Sequence, residues 1–209
     1  MIRSILFDMD GVLIDAKDWH FEALNRALAL FGATIDRQAH LSTFDGRPTR
    51  DKLSILSQTQ GLPKGLHGLI NDLKQDYTLE LIYARCRPVF AHRDALRRLK
   101  ADGYRIAVCS NSIRATVETM MRQAALAPYL DLMLSNEDVA RAKPDPEMYL
   151  TAMSRLGCEA SQCLIVEDND HGIQAARASG AHVMIAACVD DVVYDRVKAE
   201  IARAEAAAQ

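Results

Sequence analysis

Three short apolar runs in this chain end in residues that can do chemistry. Ile5-Leu6-Phe7 leads into Asp8-Met9-Asp10-Gly11, Ile106-Ala107-Val108-Cys109 into Ser110-Asn111-Ser112, and Leu164-Ile165-Val166 into Glu167-Asp168. Lys143, followed by Pro144, stands in the connection before the last run. If the runs are strands of one open α/β sheet, the residues just past their carboxyl ends meet at one edge, where such sheets bind ligands. Four carboxylates, a hydroxyl and a lysine would then converge. Carboxylates this close repel one another, so a cation or raised pKa values must follow. A hard, oxygen-liganded ion such as Mg²⁺ suits the donor set, together with waters and a substrate phosphate. Lys143 adds positive charge, and the Ser110 hydroxyl can donate to a phosphate oxygen.

The elements that would position these residues are legible. Continuous apolar runs suit strands buried on both faces of a parallel sheet. Two further runs, Leu132-Met133-Leu134 and Val183-Met184-Ile185, complete a set of five alternating with helix-period sequence. The alternation predicts an α/β fold with a doubly wound parallel sheet. Leu96 and Leu99 line a helix stopped by Gly103. Asp145 is expected to cap a helix that begins at Pro146 and ends before Gly157. Asp170 is expected to cap the helix that carries Ala175, Ala176 and Ala178 before Gly180. A C-terminal helix follows on Val193, Val197 and Ile201, and its alanine-rich end is expected to fray.

One stretch breaks the alternation. Residues 16–84 show no strand pattern. Trp19, Ala23, Leu24, Ala27, Leu28 and Phe31 make one helical face; Leu66, Leu69, Ile70, Leu73, Tyr77 and Leu81 make another. The stretch is too long for a loop. It is expected to be a helical domain of residues 16–84 inserted in an α/β core of residues 1–15 and 85–209.

Composition bounds the rest. Of 209 residues, 49% are hydrophobic and 25% charged, an ordinary globular balance, and the net charge is −3. No Lys/Arg block marks a nucleic-acid binder. The N-terminal sequence reads as neither signal peptide nor membrane span. Five cysteines without a CxxC spacing argue against a disulfide framework or a structural zinc site. Cys109 and Cys163 read as small buried hydrophobes. The expectation is a reduced, cytoplasmic protein with no nucleic-acid or membrane partner, monomeric for want of an exposed heptad seam.

Asp8-x-Asp10-Gly11, Ser110, Lys143-Pro144 and Glu167-Asp168 resemble, in order, the four motifs of the haloacid dehalogenase superfamily. The run Gly172-Ile173-Gln174-Ala175-Ala176 with Gly180 adds to the likeness. The helical insert resembles the type-1 cap of the branch containing β-phosphoglucomutase and phosphoglycolate phosphatase. The resemblance implies that Asp8 attacks phosphorus and that Asp10 moves protons. It implies that Ser110 and Lys143 hold the transferring group, with Asn111 beside them in substrate binding. Asp8, Asp10 through its backbone carbonyl, Asp168 and Glu167 would serve Mg²⁺. The turn Phe44-Asp45-Gly46-Arg47-Pro48-Thr49-Arg50 falls where such caps carry a specificity loop. Gly46 and Arg47 are therefore expected to bind substrate, with Arg50 as a second candidate. The implied function is a phosphatase of a small phosphorylated metabolite.

Other readings meet specific obstacles. An EF-hand calcium loop starting at Asp8 would need glycine at its sixth and glutamate at its twelfth position, and Trp19 occupies the latter. A receiver domain would carry its acceptor aspartate on a later strand. A phosphomutase would share every motif, but Asp45 stands where β-phosphoglucomutase carries a lysine. A binding module without activity would not need the full motif set. His20 and His171 lie near the motifs; a histidine at either place is equally at home as a packing or surface residue.

Overall fold

The computed structural model describes residues 1–207; Ala208 and Gln209, the very end of the expected fray, lie outside the described residues. The chain divides into two compact units, one built from Met1–Asp15 and the segment from Arg87 onward, the other from Ala16–Cys86.

The first unit is the expected doubly wound sheet. Its strands are β1 (Ser4–Phe7), β2 (Arg105–Cys109), β3 (Leu132–Leu134), β4 (Cys163–Glu167) and β5 (His182–Ile185), all parallel, in the order β3-β2-β1-β4-β5. The first strand in the chain is thus central. Phe7 lies in register with Val108 on one side and Val166 on the other, so the residues after these three strands emerge side by side. Every residue of β1 and β4 is buried, as continuous apolar runs require.

The helices before α5, α1 (Lys17–Ala29), α2 (Arg37–Ala39), α3 (Thr49–Gln60) and α4 (His67–Arg85), belong to the other unit. The sheet unit carries α5 (Phe90–Ala101), α6 (Arg114–Gln123), α7 (Glu147–Leu156), α8 (Asp170–Ala178) and α9 (Tyr194–Ala207). Met148, Tyr149, Ala152, Met153 and Leu156 of α7 and Ala175 and Ala176 of α8 pack with Leu6, Ala107 and Ile165 of the sheet. The small alanines let α8 approach closely. Cys109 and Cys163 are fully buried in the same core, as expected.

Two helix starts differ from the sequence expectation. α7 begins at Glu147 with Pro146 as its N-cap residue, although Asp145 still accepts a hydrogen bond from the Glu147 N–H at 3.0 Å. In α8 the cap is Asn169, not Asp170: Asn169 has extended backbone and its Oδ1 accepts from the Gly172 N–H at 3.0 Å. The amide one position earlier supplies the acceptor, and Asp170 is left on the exposed first turn. At the other end, α9 remains helical through Ala207.

The second unit contains α1 (Lys17–Ala29), α2 (Arg37–Ala39), α3 (Thr49–Gln60) and α4 (His67–Arg85), and no strand among the described residues. Leu24, Leu28, Ile35, Phe44, Leu53, Leu56 and Ile70 form its core. Leu69 is 51% exposed, whereas Ile70 and Thr78 are buried. The buried stripe of α4 is therefore rotated from the one expected at Leu69. Between α2 and α3, His40–Phe44 forms a wide helical turn in which the Asp45 N–H reaches the His40 carbonyl at 2.8 Å. Such i→i+5 turns are rare inside proteins.

Candidate active site

The site in the sheet unit begins with the turn after β1. The Asp8 N–H continues the ladder to the Val166 carbonyl at 2.9 Å. The chain then folds back at once: Leu13 and Ile14 both donate to the Met9 carbonyl at 2.9 Å, and the Gly11 N–H donates to Ile14 at 2.7 Å. Gly11 has a φ of 89°, a conformation open to glycine and strained for side-chained residues. Val12, Leu13 and Ile14 are buried by this turn, which fixes Asp8 and Asp10 on its near side.

The flanking strand β2 delivers Ser110, 1% exposed, whose N–H pairs with the Leu134 carbonyl at 3.0 Å. Its Oγ accepts from the Ser112 N–H at 3.0 Å, and the Ser112 hydroxyl donates to Oδ2 of Asp10 at 3.2 Å. Asn111 and Lys143 hold each other's backbone. The Asn111 amide donates to the Lys143 carbonyl at 3.2 Å and accepts from the Lys143 N–H at 3.1 Å. The bond from Lys143 to Pro144 is cis.

The Lys143 ammonium donates to three acceptors: Oδ1 of Asp8 at 2.8 Å, Oε1 of Glu167 at 2.7 Å and the Cys109 carbonyl at 2.8 Å. All its donors are thereby engaged. Burial alone would pull this amine's pKa down; Asp8 and Glu167 outweigh it and hold the ammonium raised. The Asp8 carboxyl is pushed well up, first by burial and then by the charge of Glu167, against the opposing pull of Lys143; Asp168 and Asp10 add to the rise. The rise is first an effect of burial, to which the neighbouring carboxylates add.

Glu167 has 0% exposure and is held on every side. Its Oε1 also accepts from the Tyr149 hydroxyl at 2.5 Å, and its Oε2 from the Asp168 N–H at 3.1 Å and the Asn169 amide at 3.4 Å. Its carboxylate lies against Gly172: a β-carbon at that position would stand 1.9 Å from Oε1. Burial pushes the Tyr149 hydroxyl's pKa well up, and Glu167 pushes it further, so the phenol keeps its proton and donates.

Oxygens of Asp8, Glu167 and Asp168 lie within 4.8 Å of one another. An all-carboxylate set with surplus negative charge fits a hard divalent cation such as Mg²⁺. Glu167, whose oxygens are taken by protein donors, contributes mainly charge.

Asp8, Asp10, Ser110, Asn111, Lys143, Glu167 and Asp168 therefore all lie at the carboxyl edge of β1, β2 and β4. Gly46 and Arg47 belong to the helical unit. There Gly46 takes a φ of 70°, and Arg47 turns its Nε onto the Thr43 carbonyl at 2.8 Å. Asp45 faces Lys17 at 3.7 Å, and exposed Arg50 faces Asp51. His20 lies on α1 with its Nδ1 3.4 Å from the Lys74 ammonium. Sequence reasoning did not single out Tyr149 or the Ser112 contact. Tyr149 sits in an amphipathic helix, where a large residue at core spacing reads as packing; its proximity to Lys143-Pro144 in sequence was the available signal.

Three comparisons show what the chain is similar to. A model of haloacid dehalogenase-like hydrolases matches residues 5–186. A phosphorylated carbohydrates phosphatase of Thermotoga maritima is 28% identical over 182 residues, covering 86% of this chain and 82% of that protein. A fructose-1-phosphate phosphatase of Escherichia coli (strain K12) is 29% identical over 178 residues, covering 85% and 92%. Among solved structures, a β-phosphoglucomutase from Clostridium difficile matches with a TM-score of 0.85, covering 97% of this chain and 98% of that one. At 17% identity that likeness speaks for the fold.

Proposed function

The chain belongs to the haloacid dehalogenase-like hydrolase family, and from that premise we propose that it is a Mg²⁺-dependent phosphatase acting on a small phosphorylated metabolite. The substrate class is a sugar phosphate or a phosphorylated organic acid, in keeping with the names of its relatives. The observation that carries the reading is the Lys143 ammonium held between Asp8 and Glu167, with Asp168 close by.

In this mechanism Asp8 attacks phosphorus, and an Asp8–phosphorus bond forms as the bond to the leaving oxygen breaks. Asp10 gives that oxygen its proton, then takes one from the water that attacks the aspartyl-phosphate. Phosphate leaves and Asp8 is regenerated. The Ser112 hydroxyl on Oδ2 of Asp10 orients the proton carrier. Ser110 donates to the transferring group, Lys143 sets its positive charge beside that group at the Asp8 carboxylate, and Asn111 fixes the backbone that carries Lys143. Asp8, Asp168 and the Asp10 carbonyl, with Glu167 behind them, would hold Mg²⁺, which when bound offsets charge between carboxylate and phosphate. Gly46 and Arg47 of the helical unit contribute to substrate selection; Asp45, a carboxylate in place of a lysine, favours hydrolysis over a mutase.

The test is an aryl phosphate assay with Mg²⁺ and with a chelator, on the wild type and Asp8→Asn. Turnover is expected only for the wild type with metal. Activity that survives loss of either Asp8 or the metal overturns the mechanism. Phosphorus NMR on a hexose 1-phosphate then separates the outcomes: free phosphate is expected, and an isomerised ester would make the chain a mutase.

A further inference from the structure

Away from the active site, Cys158 and Cys163 place their sulfurs 3.2 Å apart. We propose that these two thiols are a reversible redox pair, closed to a disulfide by a peroxide and reopened by a dithiol reductant. Their neighbourhood holds them facing each other. The Cys158 N–H is fixed to the Met153 carbonyl at 3.0 Å, at the end of α7. Cys163 opens β4, in register with Ser4 of the central strand. The four residues between them form one tight turn, in which Gln162 donates its N–H to the Glu159 carbonyl at 2.9 Å and accepts from the Glu159 N–H through its side chain at 3.1 Å. The sulfurs need to close by about 1.2 Å to reach bonding distance.

The two thiols differ in access. Cys158 is half-buried, whereas Cys163 is fully buried. Burial first, and then the contact with Cys158, push the Cys163 thiol's pKa up, so it remains protonated. Cys158 is therefore the sulfur that meets the oxidant. Its sulfur, as it loses the thiol proton, attacks one oxygen of hydrogen peroxide; the S–O bond forms, the O–O bond breaks, and the departing hydroxide takes the Cys158 proton as one water, leaving a sulfenic acid. Cys163 sulfur then attacks Cys158 sulfur. The S–S bond forms, the S–O bond breaks, and the departing hydroxide takes the Cys163 proton as a second water. The two thiols lose two electrons and two protons in all, and the peroxide gains them.

The experiment uses the whole chain carrying Cys188→Ser, which removes the exposed thiol. It is treated with hydrogen peroxide, denatured, alkylated and mapped by mass spectrometry. Of the four thiols left after that substitution (five in the chain less one), two are expected to be lost, with a single peptide linking 158 to 163 that dithiothreitol reopens. A further Cys158→Ser substitution is expected to abolish the link. Four alkylatable thiols after oxidation, or Cys158 oxidised to sulfinic acid without a link to Cys163, overturns the proposal.

Discussion

The Tyr149 hydroxyl donates to Oε1 of Glu167 at 2.5 Å, on the same oxygen that receives the Lys143 ammonium. One helix and two strands are thus joined, through Lys143, in one hydrogen-bonded line from α7 by way of β4 to the end of β1, and Tyr149 is its outer anchor. Tyr149→Phe removes only the donor. A hydrogen bond to a charged acceptor contributes about 1.5–3 kcal/mol. Expected are a fall in kcat of about tenfold, corresponding to about 1.4 kcal/mol of activation energy, and a lower melting temperature. Steady-state kinetics and thermal unfolding of the purified variant measure both.

Removing Lys143 should cost more. Lys143→Met leaves Asp8 and Glu167, 5% and 0% exposed, without their cation. Breaking a buried pair on one side destabilises by about 3–5 kcal/mol. Thermal unfolding with and without Mg²⁺ distinguishes charge from packing. Metal is expected to raise the melting temperature of the variant more than that of the wild type. An equal rise in both would mean that the metal does not feel this charge.

Gly172 and Gly68 offer a matched contrast. A methyl group at Gly172 meets the Glu167 carboxylate at 1.9 Å, while one at Gly68, also helical, meets nothing within 4 Å. Gly172→Ala must displace Glu167 or the helix, and a loss of about 3 kcal/mol or more is expected. Gly68→Ala is expected to add about 0.5–1 kcal/mol, the helix propensity of alanine over glycine. Urea denaturation of the two variants checks the sign of each.

Acid should loosen the helical unit through His40. This imidazole is 1% exposed and packs against the Phe21 ring, with ring centroids 5.0 Å apart. Burial first, and then the Lys52 charge, lower its pKa to about 4, with Asp45 opposing. The folded pKa is depressed, so the unfolded chain binds the proton more tightly. Stability is complete above the unfolded value near 6.5 and is lost as pH falls toward 4. From pH 7 to pH 5 the loss is about 2 kcal/mol. His40→Leu, which cannot titrate, is expected to reduce this pH dependence in urea unfolding curves by that amount.

The strand ends were legible because burial on both faces leaves an unbroken apolar run, and the polar residue that ends it is conspicuous. Asp8, Ser110 and Glu167 all follow that rule, and Lys143 was found by its place before Pro144. Residues whose role depends on a tertiary neighbour were not legible. Tyr149 looks like any core aromatic until Glu167 is placed beside its hydroxyl. Asn169 and Asp170 are both acceptable caps in sequence, and the backbone angle at Asn169 decides between them. Ile70 and Leu81 of the expected α4 face are buried, whereas Leu69 is exposed because the buried stripe runs on through Lys74 and Thr78. The buried state of His40, Lys52 and Lys74 runs against composition-based expectation altogether.

The central position of β1 also governs when the protein can come into being on the ribosome. Ser4–Phe7 precedes both of its partners, Arg105–Cys109 and Cys163–Glu167, in the chain. That strand must wait for about a hundred residues before one edge is covered, and for about sixty more before the other is. During that interval an apolar strand has both hydrogen-bonding edges open, the condition in which pairing with a wrong chain competes with folding. The helical unit, by contrast, is contiguous in sequence and can form as soon as it emerges. The edge that gathers Asp8, Ser110 and Glu167 is complete only when Glu167 has left the tunnel.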